Sequence, residues 1–337
     1  MLVRSSKVIH PLGVSLETPL MVPSFSSKGF TFNKDEVSEV TDALKVSKEF
    51  LTESILLSAY DLYHKHIPFS DEFLPTELTI IDSGGYETSD VYDLSASSKY
   101  SYPIKEWQLD NYKEILGAWP KHKAGIIVSY DHGKERFSLD DQIDQAENLF
   151  SMYPQFLNDF LIKPETDSQR YVQIENILNN IEMVRNFSLI GFTEKELGNS
   201  ILGRMVNIAN IRRALDRQSI NSPIHIFGSL DPLTSILYFL AGAEVFDGLT
   251  WLKYSYFKGS AIYQSNYGAL HSDLGIHVKD VQIRSQSIVN NIYTLERMKY
   301  LMKDFIASSD FSLFDALDSG LGDLLKKFYK TFETNLK

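Results

Sequence analysis

The residues best suited to chemistry are three aspartates, each closing a short apolar run just before a glycine-containing turn. They lie in Ile80-Ile81-Asp82 ahead of Ser83-Gly84-Gly85-Tyr86, in Val128-Ser129-Tyr130-Asp131 ahead of His132-Gly133, and in Val245-Phe246-Asp247 ahead of Gly248. Each alone can equally be a turn or helix-cap residue. Asp82 departs most from that reading, because the two glycines behind Ser83 let backbone N–H groups approach a ligand. Converging carboxylates suit general acid/base work and nucleophilic attack at an anomeric carbon. A metal site built of carboxylates alone is the weaker alternative.

The elements around these residues can bring them together. Eight short apolar runs are expected as strands: Leu20 to Phe25, Ser54 to Ser58, Leu78 to Asp82, Gly125 to Asp131, Phe160 to Lys163, Ser188 to Gly191, Pro223 to Gly228 and Glu244 to Asp247. Helical periodicity falls between them, as in the run opened by Ser138 and ending at Met152, and in Asn207 to Gln218. Asp231 is a cap candidate, Pro232 fits the first helical position, and Gly242 supplies the stop. Alternating strands and helices, with eight strands, predict a (β/α)8 barrel, in which the C-terminal strand ends open on one face and the three acids share it.

After Asp247 the pattern changes to an aromatic, irregular stretch reaching about residue 287, followed from Val289 by an apolar helix and then by an amphipathic segment, Leu313 to Phe332. The division expected is therefore 1–250 for the barrel and 251–337 for a loop insertion plus a helical extension packed on it. The longest apolar run, Ile236 to Ala243, is far below a membrane span, and the N-terminus has no signal-peptide pattern; a cytoplasmic protein without membrane partners is expected. With no Cys among 337 residues, disulfides, thiolate nucleophiles and cysteine metal sites are excluded. A net charge of −11 argues against an extended basic surface. His64 and His66 read as solvated residues of a helix-like segment, and His271 and His277 as surface residues.

The motifs around the acids resemble those of the tRNA-guanine transglycosylases, also called queuine tRNA-ribosyltransferases. Thr18-Pro-Leu-Met-Val-Pro-Ser24 is similar to the family's T-P-x-F-M-P segment, Ile55 to Tyr60 to its L-x-N-T-Y-H-L strand without the Asn, and Asp82-Ser-Gly-Gly-Tyr86 to its D-S-G-G-F-Q signature. Asp131 falls at the family's fourth-strand Asp, and Ile190 to Glu194 at its glycine-rich loop. Ile226 to Leu233 with Ala241 to Asp247 resembles M-G-x-G-x-P-x-D-x-L followed by G-x-D-M-F-D, and Asn290 to Leu295 resembles its H-N-L helix.

The resemblance implies exchange of a guanine within nucleic acid, tRNA or DNA, for a free 7-deazaguanine base by double displacement at the ribose C1′. Asp247 would be the nucleophile and Asp82 the general acid/base. Asp131 would read the guanine edge, and Ser83, Gly84 and Gly85 would line the base site. Tyr86 would stack on the base, and the backbone of Gly191 and Phe192 would face the 7-substituent. Family members often form dimers, so a homo- or hetero-dimer is expected.

Several departures mark a divergent member. The family's zinc ligands include three Cys, so the metal is expected to be lost and no cofactor takes its place. Lys163 stands where the family carries a base-holding Gln, available to a phosphate, a carbonyl, one of the acids, or Glu165. The glycine loop has one Gly fewer. After the nucleophile, Leu249 to Lys258 is more aromatic than the family's basic stretch, which suggests Trp251, Tyr254 and Tyr256 for base stacking and Lys253 and Lys258 for phosphates. Any basic patch is expected near Lys253, Lys258, Lys279 and Arg284. Two other readings stay open: a non-catalytic accessory subunit that binds nucleic acid, and an unrelated barrel glycosidase.

Overall fold

The computed structural model describes residues 1–89, 103–131, 133, 135–271 and 274–336. Eight parallel strands close into a barrel: β1 (Leu20–Phe25), β2 (Ser54–Ser58), β3 (Leu78–Asp82), β4 (Ala124–Val128), β5 (Leu157–Ile162), β6 (Leu189–Thr193), β7 (Ile224–Phe227) and β8 (Val245–Gly248), with β8 pairing β1. This is the (β/α)8 architecture expected from the strand and helix alternation.

Strand periodicity sorts the side chains. Leu20, Val22, Leu56, Leu78, Ile80, Ile126, Val128, Leu189 and Val245 fill the interior, while the alternating Met21, Ile55, Leu57, Ile81, Ile127, Ile190, Phe192, Ile226 and Phe246 pack outward against the helices. An N-terminal hairpin of Lys7–Ile9 and Ser15–Glu17 adds Val8 and Leu16 to the interior cluster. Register places Asp82 opposite Ser58 and Asp247 opposite Val22. Both acids therefore occupy the C-terminal ends of their strands.

Helix caps follow the sequence signals. Ser138 accepts from the Asp141 N–H at the start of Leu139–Ser151, and Asp231 accepts from the Leu233 and Thr234 N–H groups at the start of Pro232–Leu240. Gly242 has φ +108, the positive region that a helix stop favours, and a Cβ there would meet the Arg212 side chain at 2.9 Å. The helix expected over Asn207 to Gln218 begins earlier, at Ile201, because Ser200 caps it by accepting from the Gly203 N–H at 3.0 Å.

The region after β8 is more ordered than its composition suggests. It forms a short helix Thr250–Lys253, a hairpin of Ser255–Phe257 and Ser260–Ile262, and a helix Gln264–Leu270. One long helix then runs Asp280–Ser308 and a last one Leu321–Asn335. The irregular stretch thus ends at 280 and not near 287. The N-terminal half of the long helix buries polar residues: Ser287 bonds Ser255 at 2.6 Å, and Asn291 donates to the Trp251 and Tyr254 carbonyls and accepts from the Tyr256 N–H, each at 2.7 Å. Farther along, Phe305 packs edge-on to Phe239 of the barrel helix, with centroids 6.2 Å apart. Among the described residues, no helix is long and apolar enough to cross a membrane.

Candidate active site at the barrel mouth

Asp247, at the end of β8, is 5% exposed and receives contacts from three directions. Ser24 Oγ of β1 donates to Oδ2 at 2.7 Å, the Gly228 N–H donates to Oδ1 at 3.1 Å, and His225 Nε2 of β7 stands 3.3 Å from Oδ1. The Ser24 hydroxyl and the Gly228 N–H make hydrogen bonds that a carboxylate accepts, and His225 Nε2 stands at ion-pair distance without hydrogen-bond geometry. Asp82, at the end of β3, is half-buried at the same end of the barrel. Burial foremost, then the charges of Asp247 and Asp131, push its carboxyl up to about 6 against the opposing Gly84 N–H, which donates at 3.0 Å. The two acids thus differ in kind: one is biased toward the neutral form, and the other is ringed by donors.

The glycines behind Asp82 serve the protein's own packing. Gly84 has φ +86, and a Cβ there would stand 2.8 Å from Trp107 Nε1 and from Tyr60 Cβ; a Cβ at Gly85 would stand 2.7 Å from Asp131. Ser83 is fully buried, its carbonyl taking the Trp107 indole N–H at 2.9 Å and its hydroxyl the Asp131 N–H at 3.2 Å. The Ser-Gly-Gly turn therefore locks Asp82 and Asp131 side by side.

Asp131 lies just past β4, which ends at Val128. Its Oδ1 accepts the Gly133 N–H at 3.0 Å and its Oδ2 stands 3.2 Å from Lys163 Nζ, which also reaches Glu196 at 2.9 Å. Of the partners open to Lys163, the structure places Asp131 there and not Glu165, which instead accepts from Asn176 Nδ2 at 2.8 Å. Burial opposes the ammonium charge, but Asp131 and Glu196 outweigh it and hold the Lys163 pKa above its usual value. A cavity of about 230 Å³ opens beside this pair, walled by Tyr130, Arg136, Phe137, Gln142 and Leu149. Asp82 and Asp247 do not line it.

Other expected contacts are placed differently. Phe192 is fully buried in the layer between barrel and helices, and both it and Gly191 sit within β6, in ladder register with β5 and β7, so their backbones serve the sheet and not a base substituent. Trp251 is fully buried, donating to the Ser24 carbonyl at 3.1 Å and packing edge-on to Phe25, so it has no face to offer a base. Tyr256 is also buried, its hydroxyl on the Leu230 carbonyl. Tyr86 is exposed at the mouth, with Lys28 Nζ 4.5 Å from its ring centre and Lys253 Nζ 3.4 Å from its hydroxyl. Arg284 is engaged with Glu39 at 3.4 Å.

His66 is buried and bonds Asp61 at 3.1 Å, contrary to the solvated reading, while His64 is half-buried and stacked on it. Asp61 in turn holds Ser27, and neighbouring Ser26 holds Glu87, which is 5% exposed. Burial first, then the charges of Asp61 and Asp82, push the Glu87 carboxyl up to about 8.

Ser24, Asp159 and His225 are the site residues that motif reading passes over. Asp159 and His225 are the titratable positions of the inward-facing row in β5 and β7, and that parity is the signal that marks them. Gly191 makes room for the pair: a Cβ there would stand 2.5 Å from the Phe227 ring and 2.9 Å from Asp159 Oδ1. Gly191→Ala is expected to destabilise the fold by about 1–3 kcal/mol through overpacking, read as a lowered urea midpoint at unchanged slope. An unchanged midpoint would show that the interior has slack at this level.

Fold and site together define a (β/α)8 barrel with an acid-lined C-terminal mouth, the position where such barrels carry their active sites. A scan against models of known protein families finds no match, and a search of curated proteins finds no relative. Among the described residues, no group of three or more His, Asp or Glu side chains is disposed to hold a metal ion.

Proposed function

We propose that the protein is a base-exchange transferase of the guanine transglycosylase type, replacing guanine in nucleic acid with a free 7-deazaguanine base. An Asp247 oxygen attacks the ribose C1′ as the glycosidic C–N bond breaks, and Asp82 gives its proton to the departing guanine. The incoming base then loses its ring proton to Asp82, attacks C1′ and frees Asp247. Atoms and charge balance without hydrolysis.

The observation that carries this reading is the division of labour at one mouth: Asp82 pushed up to about 6 beside Asp247 surrounded by donors. The Asp131–Lys163 pair adds to it. A guanine edge presents an acceptor oxygen next to an N–H donor, and a carboxylate beside an ammonium offers the complementary pattern, which adenine's edge reverses. Tyr86, with Lys28 and Lys253 around it, is the aromatic residue placed to meet an extruded base near its phosphates.

The test supplies labelled guanine and a labelled 7-deazaguanine to tRNA and to duplex DNA in parallel. Label entering one polymer, with a covalent protein–nucleic acid adduct surviving denaturation, is the expected result and names the polymer. Binding of either polymer without label would favour an accessory role. Base released from a simple nucleoside, with no exchange, would favour a glycosidase.

A further inference from the structure

A file of three polar side chains crosses the barrel interior below the mouth. Asp159 of β5 and His225 of β7 are fully buried, and His225 Nδ1 meets Asp159 Oδ2 at 2.6 Å. The opposite ring nitrogen, Nε2, stands 3.3 Å from Asp247 Oδ1, within ion-pair range but without hydrogen-bond geometry. Both imidazole nitrogens thus have a carboxylate oxygen nearby, Nδ1 in a hydrogen bond and Nε2 at ion-pair distance only, and a ring carrying hydrogen on both nitrogens suits the two contacts together. The Phe227 ring lies over the imidazole, with centroids 3.9 Å apart.

The placement is costly unless it has an outlet. Asp159 is fully buried and its Oδ1 has no hydrogen-bond partner, and buried ion pairs seldom stabilise a fold relative to apolar residues of similar size. The file ends on the carboxylate assigned above as nucleophile. On Asp247 it loads Oδ1, which also takes the Gly228 N–H, and leaves Oδ2 with Ser24 Oγ alone. The two oxygens are made unequal, with Oδ2 the less encumbered.

We infer that Asp159 and His225 form a positioning relay in which an imidazolium fixes Oδ1 of Asp247 and so presents Oδ2 to the anomeric carbon. The inference rests on the base-exchange reading for what Asp247 attacks. His225 makes no contact with substrate in this account; it acts through Asp247. Burial alone would discharge the ring, but Asp159 and then Asp247, the charged groups acting on it, raise it to about 9.

The experiment follows the ring nitrogens of His225 by NMR in protein labelled with ¹⁵N-histidine, His225→Gln providing the assignment. The expected result is an imidazolium at pH 8 in the wild type, a lowered titration midpoint in Asp247→Asn, and a neutral ring at pH 8 in Asp159→Asn. A neutral ring in the wild type, or a ring indifferent to Asp247→Asn, would overturn the relay. In parallel, His225→Gln is expected to lower kcat for exchange about 10²-fold with KM little changed; a raised KM at unchanged kcat would overturn the positioning role. A wild type that shows the coupled imidazolium but exchanges no base would sustain the relay while removing the function proposed above. If His225→Gln fails to fold, the wild type and Asp247→Asn still decide the outcome, through the resonance that shifts between them.

Discussion

Replacing Asp247 by Asn is expected to reduce base exchange by at least about 10³-fold and to abolish the covalent adduct, while the melting temperature stays close to that of the wild type. The amide matches the carboxylate in size and keeps one acceptor oxygen for Ser24 or Gly228, so the loss falls on nucleophilicity. Asp82→Asn should fail differently. It retains the nucleophile but cannot supply a proton, so adduct formation should persist only with a leaving base that needs none. The pH profile carries a matching signature: with Asp82 pushed up to about 6, the fraction able to protonate the leaving base falls as pH rises above that value. Single-turnover base release between pH 5 and 9, in the wild type and both variants, checks all three statements. Adduct formed by Asp247→Asn would end the assignment of the nucleophile.

The second large effect is on stability. Glu87 is raised from 4.5 to about 8 by burial and by Asp61 and Asp82, so the folded protein favours its neutral form. The sign follows from linkage: the folded state binds this proton more tightly than the unfolded state does, so the stabilisation is complete below the unfolded pKa and is lost as pH rises toward 8. At about 1.4 kcal/mol per pH unit, the change is on the order of a few kcal/mol. Glu87→Gln mimics the neutral acid and keeps a partner for Ser26. Urea unfolding at pH 5, 7 and 9 should show the wild type weakening with pH, and the variant weakening less and overtaking it at pH 9. A variant that is less stable at pH 9 would mean that the carboxylate form is the one the fold favours.

Much of this site can be read from sequence, for a definite reason. Asp82, Asp131 and Asp247 end apolar runs just before glycine, and in a closed barrel strand ends share one face. The strand boundaries Leu20–Phe25, Ser54–Ser58 and Leu78–Asp82 fall where β-type runs meet turn residues. Asp159 escapes because the expected strand begins at Phe160, one residue after it, and His225 because it is a single polar residue inside an apolar strand; the partners stand 66 positions apart. Trp251 misleads for the opposite reason: composition reports an aromatic residue near the mouth but not which way it faces. The early turns of the long helix are hidden by Ser287 and Asn291, whose buried polar bonds interrupt the apolar stripe that periodicity detects.

Asn291 also changes what the C-terminal third of the chain is. Three backbone groups of the segment that leaves β8, from Trp251 to Tyr256, find their partners on this one side chain, as many as 40 residues downstream. In hydrogen-exchange terms, that segment and the middle of the long helix are expected to open as one cooperative unit, with the Tyr256 amide exchanging when the helix lifts. The extension is therefore tied to the backbone that follows the barrel's last strand. A chain cut before it would lose the staple that shapes one wall of the mouth.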